Sequence, residues 1–215
     1  NVMAAHFGVK CYDCLTGFKY IARIIRNNEG KATYIGGGEE SFGYLAGDFV
    51  RDKDAVSACS LVAEAAAWTR YTMGLTLYEW LQKLYVEFGF FREGLVSVVR
   101  KGMEGAAEIQ RMMVDYRADP PREIAGSPVV KINDFKLLES TDVRTGAKTP
   151  IEEEASNVLQ WFAADGTVVS VRPSGTEPKI KFYFGVRAEL ESVADFDRVE
   201  AGLDAKIETI KKELK

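Results

Sequence analysis

No window of the chain approaches the roughly eighteen consecutive apolar residues that a membrane-spanning helix needs, so no segment is expected to cross a bilayer. Nor does one sign of charge dominate. With 28 basic and 32 acidic residues the net charge is −4, which excludes general nucleic-acid binding and leaves only local recognition of phosphate. Cysteine is scarce and odd in number, at three, which excludes a paired disulfide framework and implies a reducing cytoplasm. Cys11 and Cys14 do form a C-x-x-C, but only Cys59 and His6 remain to complete the four ligands of a structural zinc. They read as small half-buried residues beside the turn at Thr16. The single histidine, His6, reads as structural. Asn1-Val2-Met3-Ala4-Ala5 lacks a signal-peptide pattern and reads as the start of a fragment, a processed product or a trimmed chain. Internal repeats and low-complexity segments are missing too.

What is present is an ordinary globular composition, 47% apolar and 28% charged, over 215 residues, enough for two modest domains. A strand is predicted over Gly8 to Tyr12. Phe18, Ile21, Ile24 and Ile25 then recur at helical spacing, with Thr16 as N-cap and Gly30 as the stop. Ala32 to Ile35 reads as a short strand running into Gly36-Gly37-Gly38. Asp54 opens a helix whose apolar face is Val56, Cys59, Val62, Ala63, Ala66 and Ala67, ending near Gly74. Thr76 and Glu79 form a capping box for a further helix that stops at Gly89. Residues 1–89 thus read as an α/β half, a partial mixed-sheet α/β domain.

From Phe90 the pattern changes. Strands are predicted over residues 90–100, 129–138, 158–163, 167–171 and 180–186, with a helix from Met103 to Tyr116 stopped by Asp119-Pro120-Pro121. A polar loop runs through Thr145-Gly146 to Glu154, and Asp165-Gly166 marks a hairpin. Ser192 and Asp195 cap a last helix whose stripe is Val193, Phe196, Val199, Leu203, Ile207, Ile210 and Leu214. Residues 90–215 read as an α+β domain, an antiparallel sheet backed by helices.

Between the last two predicted strands lies Arg172-Pro173-Ser174-Gly175-Thr176-Glu177-Pro178-Lys179-Ile180-Lys181. Two prolines interrupt pairing, and the loop left over holds two hydroxyls and a glycine that permits φ > 0 and close backbone approach. Arg172 enters it with a planar fork of donors that matches phosphate oxygens, and Lys179 and Lys181 follow. A phosphate dianion tolerates no facing carboxylate, so Glu177 is expected to point away or to cap the loop. A solvated polar hairpin is the other reading of the same residues.

This stretch resembles the phosphate-binding loop in the last domain of the α-D-phosphohexomutases, the phosphoglucomutase and phosphomannomutase family. Three more stretches resemble that family in the expected order: Thr16-Gly17-Phe18-Lys19, Gly38-Glu39-Glu40-Ser41-Phe42-Gly43 and Arg51-Asp52-Lys53-Asp54. The resemblance spans nearly the whole chain and implies most of a third domain followed by the fourth. It implies a ring-binding role for Glu39 and Ser41, substrate contact by Thr16 and Lys53, and phosphate binding by Arg172, Ser174, Gly175, Thr176, Lys179 and Lys181. Glu39 and Ser41 would share one side of an extended segment, where a carboxylate accepts from two neighbouring hydroxyls. Lys53 and Lys19 are the candidate acid/base groups, and clustered cations are expected to lower the Lys53 pKa. Some relatives carry a histidine where this chain has Phe49, so imidazole is not supplied from there.

The family moves phosphate between the first and sixth carbons of a hexose, or the fifth of a pentose. It does so through a phosphoserine, a bound Mg²⁺ and a sugar bisphosphate intermediate that also activates. Its Ser-His-Asn-Pro nucleophile motif and Asp-Gly-Asp-x-Asp-Arg metal motif do not occur here. Asp195-Phe196-Asp197-Arg198 lacks the glycine, so no metal ligand is assigned within this chain. The resemblance therefore implies a cytoplasmic sugar-phosphate enzyme of which this chain alone is inactive, with no nucleic-acid or membrane partner. A non-catalytic phosphosugar-binding module is the alternative, and the choice among glucose, mannose, amino sugar and pentose stays open.

Overall fold

The computed structural model describes every residue except Glu40, Ser41, Phe42, Lys101, Thr176 and Lys215, and only the backbone at Met103. The chain divides into two units, Asn1–Leu84 and Tyr85–Lys215.

The first unit begins with a short helix, α1 (Val2–His6). The strand expected over Gly8 to Tyr12 does not form. Gly8 turns the chain at φ 64° and Val9 N–H closes back on Ala4 O at 2.8 Å, and the exposed residues that follow take no sheet partner. Helix α2 (Phe18–Asn27) buries Phe18, Tyr20 and Ile25. Its N-cap is Gly17 at φ 128°, not Thr16, and it ends at Asn28, before Gly30.

The expected strand over Ala32 to Ile35 is displaced onto the glycines. Strand β1 (Gly36–Glu39) pairs antiparallel with β2 (Gly43–Ala46), Glu39 opposite Gly43. Glycine disfavours strands, but here two tyrosines lie on the backbone. A Cβ on Gly36 would stand 2.8 Å from Tyr44 Oη, and one on Gly37 2.9 Å from Tyr34 Oη. Tyr34 Oη donates to Leu45 O at 3.2 Å, and Leu45 joins Phe18 and Ile25 in the unit's core.

Helix α3 (Ala55–Met73) starts and stops where expected. The Asp54 carboxylate accepts from Val56 N–H at 3.0 Å, and Gly74 closes the end at φ 70°. Its apolar face is not a buried one in this unit: Thr69 alone is buried, and Val56 and Val62 are exposed. A two-stranded sheet is too small to cover nineteen residues of helix. Helix α4 (Leu77–Phe88) carries the reciprocal Thr76–Glu79 cap, Thr76 N–H to Glu79 Oε2 at 2.7 Å and Glu79 N–H to Thr76 Oγ1 at 3.2 Å.

The second unit is built on β3 (Phe90–Val99), helix α5 (Gly102–Ala118), the short β4 (Glu123–Ile124) and β5 (Ser127–Asp134). There follow β6 (Glu139–Asp142), β7 (Lys148–Pro150), β8 (Leu159–Ala163), β9 (Val168–Pro173), β10 (Lys179–Ala188) and helix α6 (Phe196–Glu213). The sheet is antiparallel, in the order β3-β10-β9-β8-β5-β6-β7, with β4 paired to β5. Strands β6 and β7 occupy what reads in the sequence as a polar loop. Their hairpin is fixed by Asp142 Oδ1 accepting from Thr145 N–H at 2.9 Å, a polar signal without apolar alternation.

One face of the sheet is apolar and covered. Ile180, Phe182, Phe184 and Val186 of β10, Val169 and Val171 of β9, and Trp161 of β8 are buried with Ile109 and Met113 of α5. The α6 stripe supplies Phe196, Leu203, Ile207, Ile210 and Leu214, while Val193 lies outside it, 41% exposed in the turn before the helix. Ser192 and Asp195 bond to each other at 2.9 Å rather than to the helix backbone.

Candidate phosphate and sugar sites

In the second unit the alternation of β10 places Lys179 and Lys181 on the face opposite Ile180 and Phe182. On β9, Val169, Val171 and Pro173 are buried, so Arg172 lies on that same open face. Register puts Lys181 directly opposite Arg172 and Ile180 opposite Pro173. Two like charges therefore stand side by side at about 5 Å between Cβ atoms, a pairing that costs stability unless water, salt or a shared anion screens it. On its other side Lys181 faces Ser97 of β3.

The loop beyond them is closed by its own backbone. Ser174 N–H reaches Lys179 O at 2.8 Å, Lys179 N–H reaches Glu177 O at 2.7 Å, and Ser174 Oγ accepts from Glu177 N–H at 3.3 Å. Arg100 N–H ties Pro178 O to the end of β3 at 2.9 Å. The Glu177 carboxylate pairs with Lys179, and that ammonium, with Lys181 adding charge, holds it below the usual carboxylate range. Gly175 does not use the left-handed conformation open to a glycine, and a Cβ there would meet open space. Thr176 lies outside the described residues.

In the first unit, Glu39 ends β1 with its side chain 14% exposed, and Lys53 Nζ stands 3.6 Å from its Oε1. Lys53 also bonds Asp52 Oδ1 at 3.0 Å, and its ammonium lies 5.3 Å from the centre of the buried Phe18 ring. Through Phe18 the turn at Thr16 to Lys19 is joined to this pair, Thr16 itself being exposed just before α2. Lys19 Nζ sits over the Tyr20 ring at 4.6 Å. Ser41 lies outside the described residues.

The expected lowering of the Lys53 pKa is reversed. The Asp52 hydrogen bond, aided by the Asp52 and Glu39 charges, outweighs desolvation and raises it. Arg51, the nearest cation to Lys53 in the sequence, pairs with Glu29 and reaches Asp48 O at 3.4 Å. The sequence does not single out Asp52, since a carboxylate beside a lysine is common at any surface.

Among the described residues no three His, Cys, Asp or Glu side chains come together as a metal's ligand set. The Mg²⁺ that the resemblance implies does not fit them, and no step is derived through it. In Asp195-Phe196-Asp197-Arg198, Phe196 is in the core and Asp195 is held by Arg198 at 2.9 Å. None of the cysteines is in a disulfide, and His6 packs edge-on against Phe7.

A profile described as phosphoglucomutase/phosphomannomutase, alpha/beta/alpha domain III, matches residues 1–88, and one described as phosphoglucomutase/phosphomannomutase, C-terminal domain, matches residues 129–203. The chain belongs to the phosphoglucomutase/phosphomannomutase family and carries its domains III and IV.

Among its relatives, the phosphoglucomutase of Staphylococcus aureus is 36% identical over 205 residues, covering 95% of this chain and 36% of that protein. The phosphoglucomutase of Staphylococcus epidermidis is 36% identical over 187 residues, covering 87% and 34%. The chain thus spans about a third of the length of the curated relatives it matches. The crystal structure of the exocytosis-sensitive phosphoprotein parafusin (phosphoglucomutase) from Paramecium, in its open form, superposes with a TM-score of 0.56 over 94% of this chain and 34% of that one. At 16% identity that likeness concerns the fold alone.

Proposed function

We propose that the chain is the sugar- and phosphate-binding C-terminal portion of a phosphohexomutase. The observation that carries this is the like-charge pair of Arg172 and Lys181 on the open face, beside a loop tied back to Lys179. A fold keeps two cations in register at a cost, and a bound phosphate dianion turns that cost into attraction. Arg172 offers the fork and Lys181 a point charge, Lys179 would exchange its Glu177 carboxylate for the phosphate, and Ser174, Gly175 and Thr176 complete the proposed set.

In the first unit Glu39 accepts from ring hydroxyls while Lys53, held protonated by its carboxylates, donates to a neighbouring oxygen. As an acid it can give a proton to a sugar oxygen; as a base it is poorly poised while Asp52 stays charged. Thr16, Ser41 and Lys19 are assigned to the same substrate on their family motif. The domains are taken as residues 1–89 and 90–215, with a hinge near Gly89.

The complete enzyme would transfer phosphate through a serine and a sugar bisphosphate, with nucleophile and Mg²⁺ ligands supplied outside this chain, in a reducing cytoplasm. The chain alone then binds sugar phosphate and turns nothing over. Titrating the 215-residue chain with glucose 1-phosphate and with inorganic phosphate, wild type against Arg172→Ala, tests the reading. Equal affinities for the two proteins remove its support.

A further inference from the structure

Gly43 stands opposite Glu39 across the hairpin, and its backbone does not occupy the left-handed region, so chain conformation does not demand a glycine there. Space does. A Cβ on Gly43 would lie 2.4 Å from Glu39 Cγ and 3.1 Å from both Glu39 Oε1 and Lys53 Cδ. The stems of Glu39 and Lys53 both run past that bare α-carbon, and their charged ends meet at 3.6 Å. That separation exceeds a direct hydrogen bond and leaves lone pairs and protons for adjacent hydroxyls.

A second wall is the Phe18 ring. It is 5% exposed, held in the core with Ile25 and Leu45, and its centre is 5.3 Å from Lys53 Nζ. An ammonium over a ring face is attracted to it. Asp52, at 3.0 Å, pulls on the same ammonium, so the ring and Glu39 decide whether Lys53 stays beside the hairpin or swings toward Asp52 alone.

We propose that Gly43 and Phe18 are positioning residues for a polyhydroxy ligand: Gly43 clears the space in which Glu39 and Lys53 meet, and Phe18 holds the Lys53 ammonium against that pair. The proposal rests on the reading of Glu39 and Lys53 as ring contacts. Its test separates the two. The Lys53 side chain of the 215-residue chain is followed by NMR through a pH titration. Glu39→Gln should lower the Lys53 titration point in the wild-type background and leave it unmoved in Gly43→Ala, where the pair is already apart.

Phe18→Leu should also lower it, whereas Ile25→Ala, which loosens the same core, should lower the melting temperature without moving Lys53. Melting supplies a second measurement of crowding: Gly43→Ala should destabilise the wild type more than the Glu39→Ala variant, which has no Cγ to meet the new methyl and keeps only the 3.1 Å approach of Lys53 Cδ. Binding of glucose 1-phosphate should weaken about tenfold or more in Gly43→Ala, with inorganic phosphate unchanged. The proposal is overturned if Glu39→Gln shifts Lys53 equally in both backgrounds, if Gly43→Ala destabilises both equally, or if Ile25→Ala moves Lys53 as Phe18→Leu does. If Lys53 and the melting data behave as expected while Glu39→Gln leaves glucose 1-phosphate binding intact, the positioning stands and the ring-contact reading falls.

Discussion

Lys181 of β10 stands directly opposite Arg172 of β9, both on the sheet face that the helices leave open. The neighbouring positions on the covered face, Ile180 and Val171, are fully buried, so neither cation can turn inward to escape the other. Their repulsion is relieved by water, by salt or by an anion of matching geometry. Among the described residues the loop carboxylate, Glu177, pairs with Lys179.

If Arg172 is the proposed phosphate contact, Arg172→Ala removes two charge-assisted bonds to the anion. At about 1.5–3 kcal/mol each, less what water returns, roughly 2–4 kcal/mol of binding is lost. That is about thirty- to a thousandfold in affinity, readable by calorimetry. Arg172→Lys should recover part of it, since an ammonium lacks the fork. Lys181→Ala should cost less. Near-neutral effects at all three would favour a plain solvated hairpin.

Asp165 makes stability depend on pH. Burial pushes its carboxyl up, but the Lys206 hydrogen bond at 2.5 Å and the Thr167 amide outweigh burial and lower it to about 2. A folded-state value below the unfolded 3.8 means the contribution is present above pH 3.8 and lost as pH falls through 2. The side chain is 37% exposed, so screening reduces the effect to about 1 kcal/mol. Asp165→Asn should lower the melting temperature at pH 7 and converge with wild type near pH 2.

Arg117 locks the end of α5 to the sheet. Its guanidinium reaches Asp134 Oδ2 at 2.8 Å and Asn157 Oδ1 at 2.7 Å, and Asp134 is 8% exposed. Asp134→Ala strips a half-buried cation of its charge partner and also the Lys136 amide of its acceptor. A loss of about 3 kcal/mol is expected, read as a lower urea midpoint at unchanged slope. An unchanged midpoint would show the pair to be solvent-compensated.

Much of this architecture could be read from local chemistry. Asp54, Gly74, the Thr76–Glu79 cap and the β10 alternation act within a few residues of themselves, and the structure has them in those roles. The Phe196-to-Leu214 stripe works the same way, since helical spacing alone gathers it. What escaped carries no apolar periodicity to announce it. Gly36-Gly37-Gly38 forms a strand because Tyr34 and Tyr44 lie across it, and no propensity of glycine announces that. The β6–β7 hairpin is held by polar turn bonds instead of an apolar face. The proton affinity of Lys53 follows from which charges fold against it, and these turned out to be carboxylates.

The last prediction concerns the ring. Glu39 is the most shielded carboxylate of its cluster, 14% exposed against 70% for Asp52, so a hydroxyl bound there is little contested by solvent. If Glu39 is the proposed ring contact, Glu39→Gln keeps the shape but gives up charge-assisted acceptance from two hydroxyls, each bond being worth about 1.5–3 kcal/mol. In the complete enzyme kcat/KM for a hexose phosphate should fall at least about tenfold, by the usual conversion of free energy into rate. Inorganic phosphate, which has no ring to hold, should bind the 215-residue chain as before, because Arg172 and Lys181 lie on a different unit of the chain. If phosphate binding falls as far as turnover, Glu39 acts on the fold or on the phosphate and is not a ring contact. If turnover survives intact, the hydroxyls are held elsewhere and the carboxylate serves only to anchor Lys53.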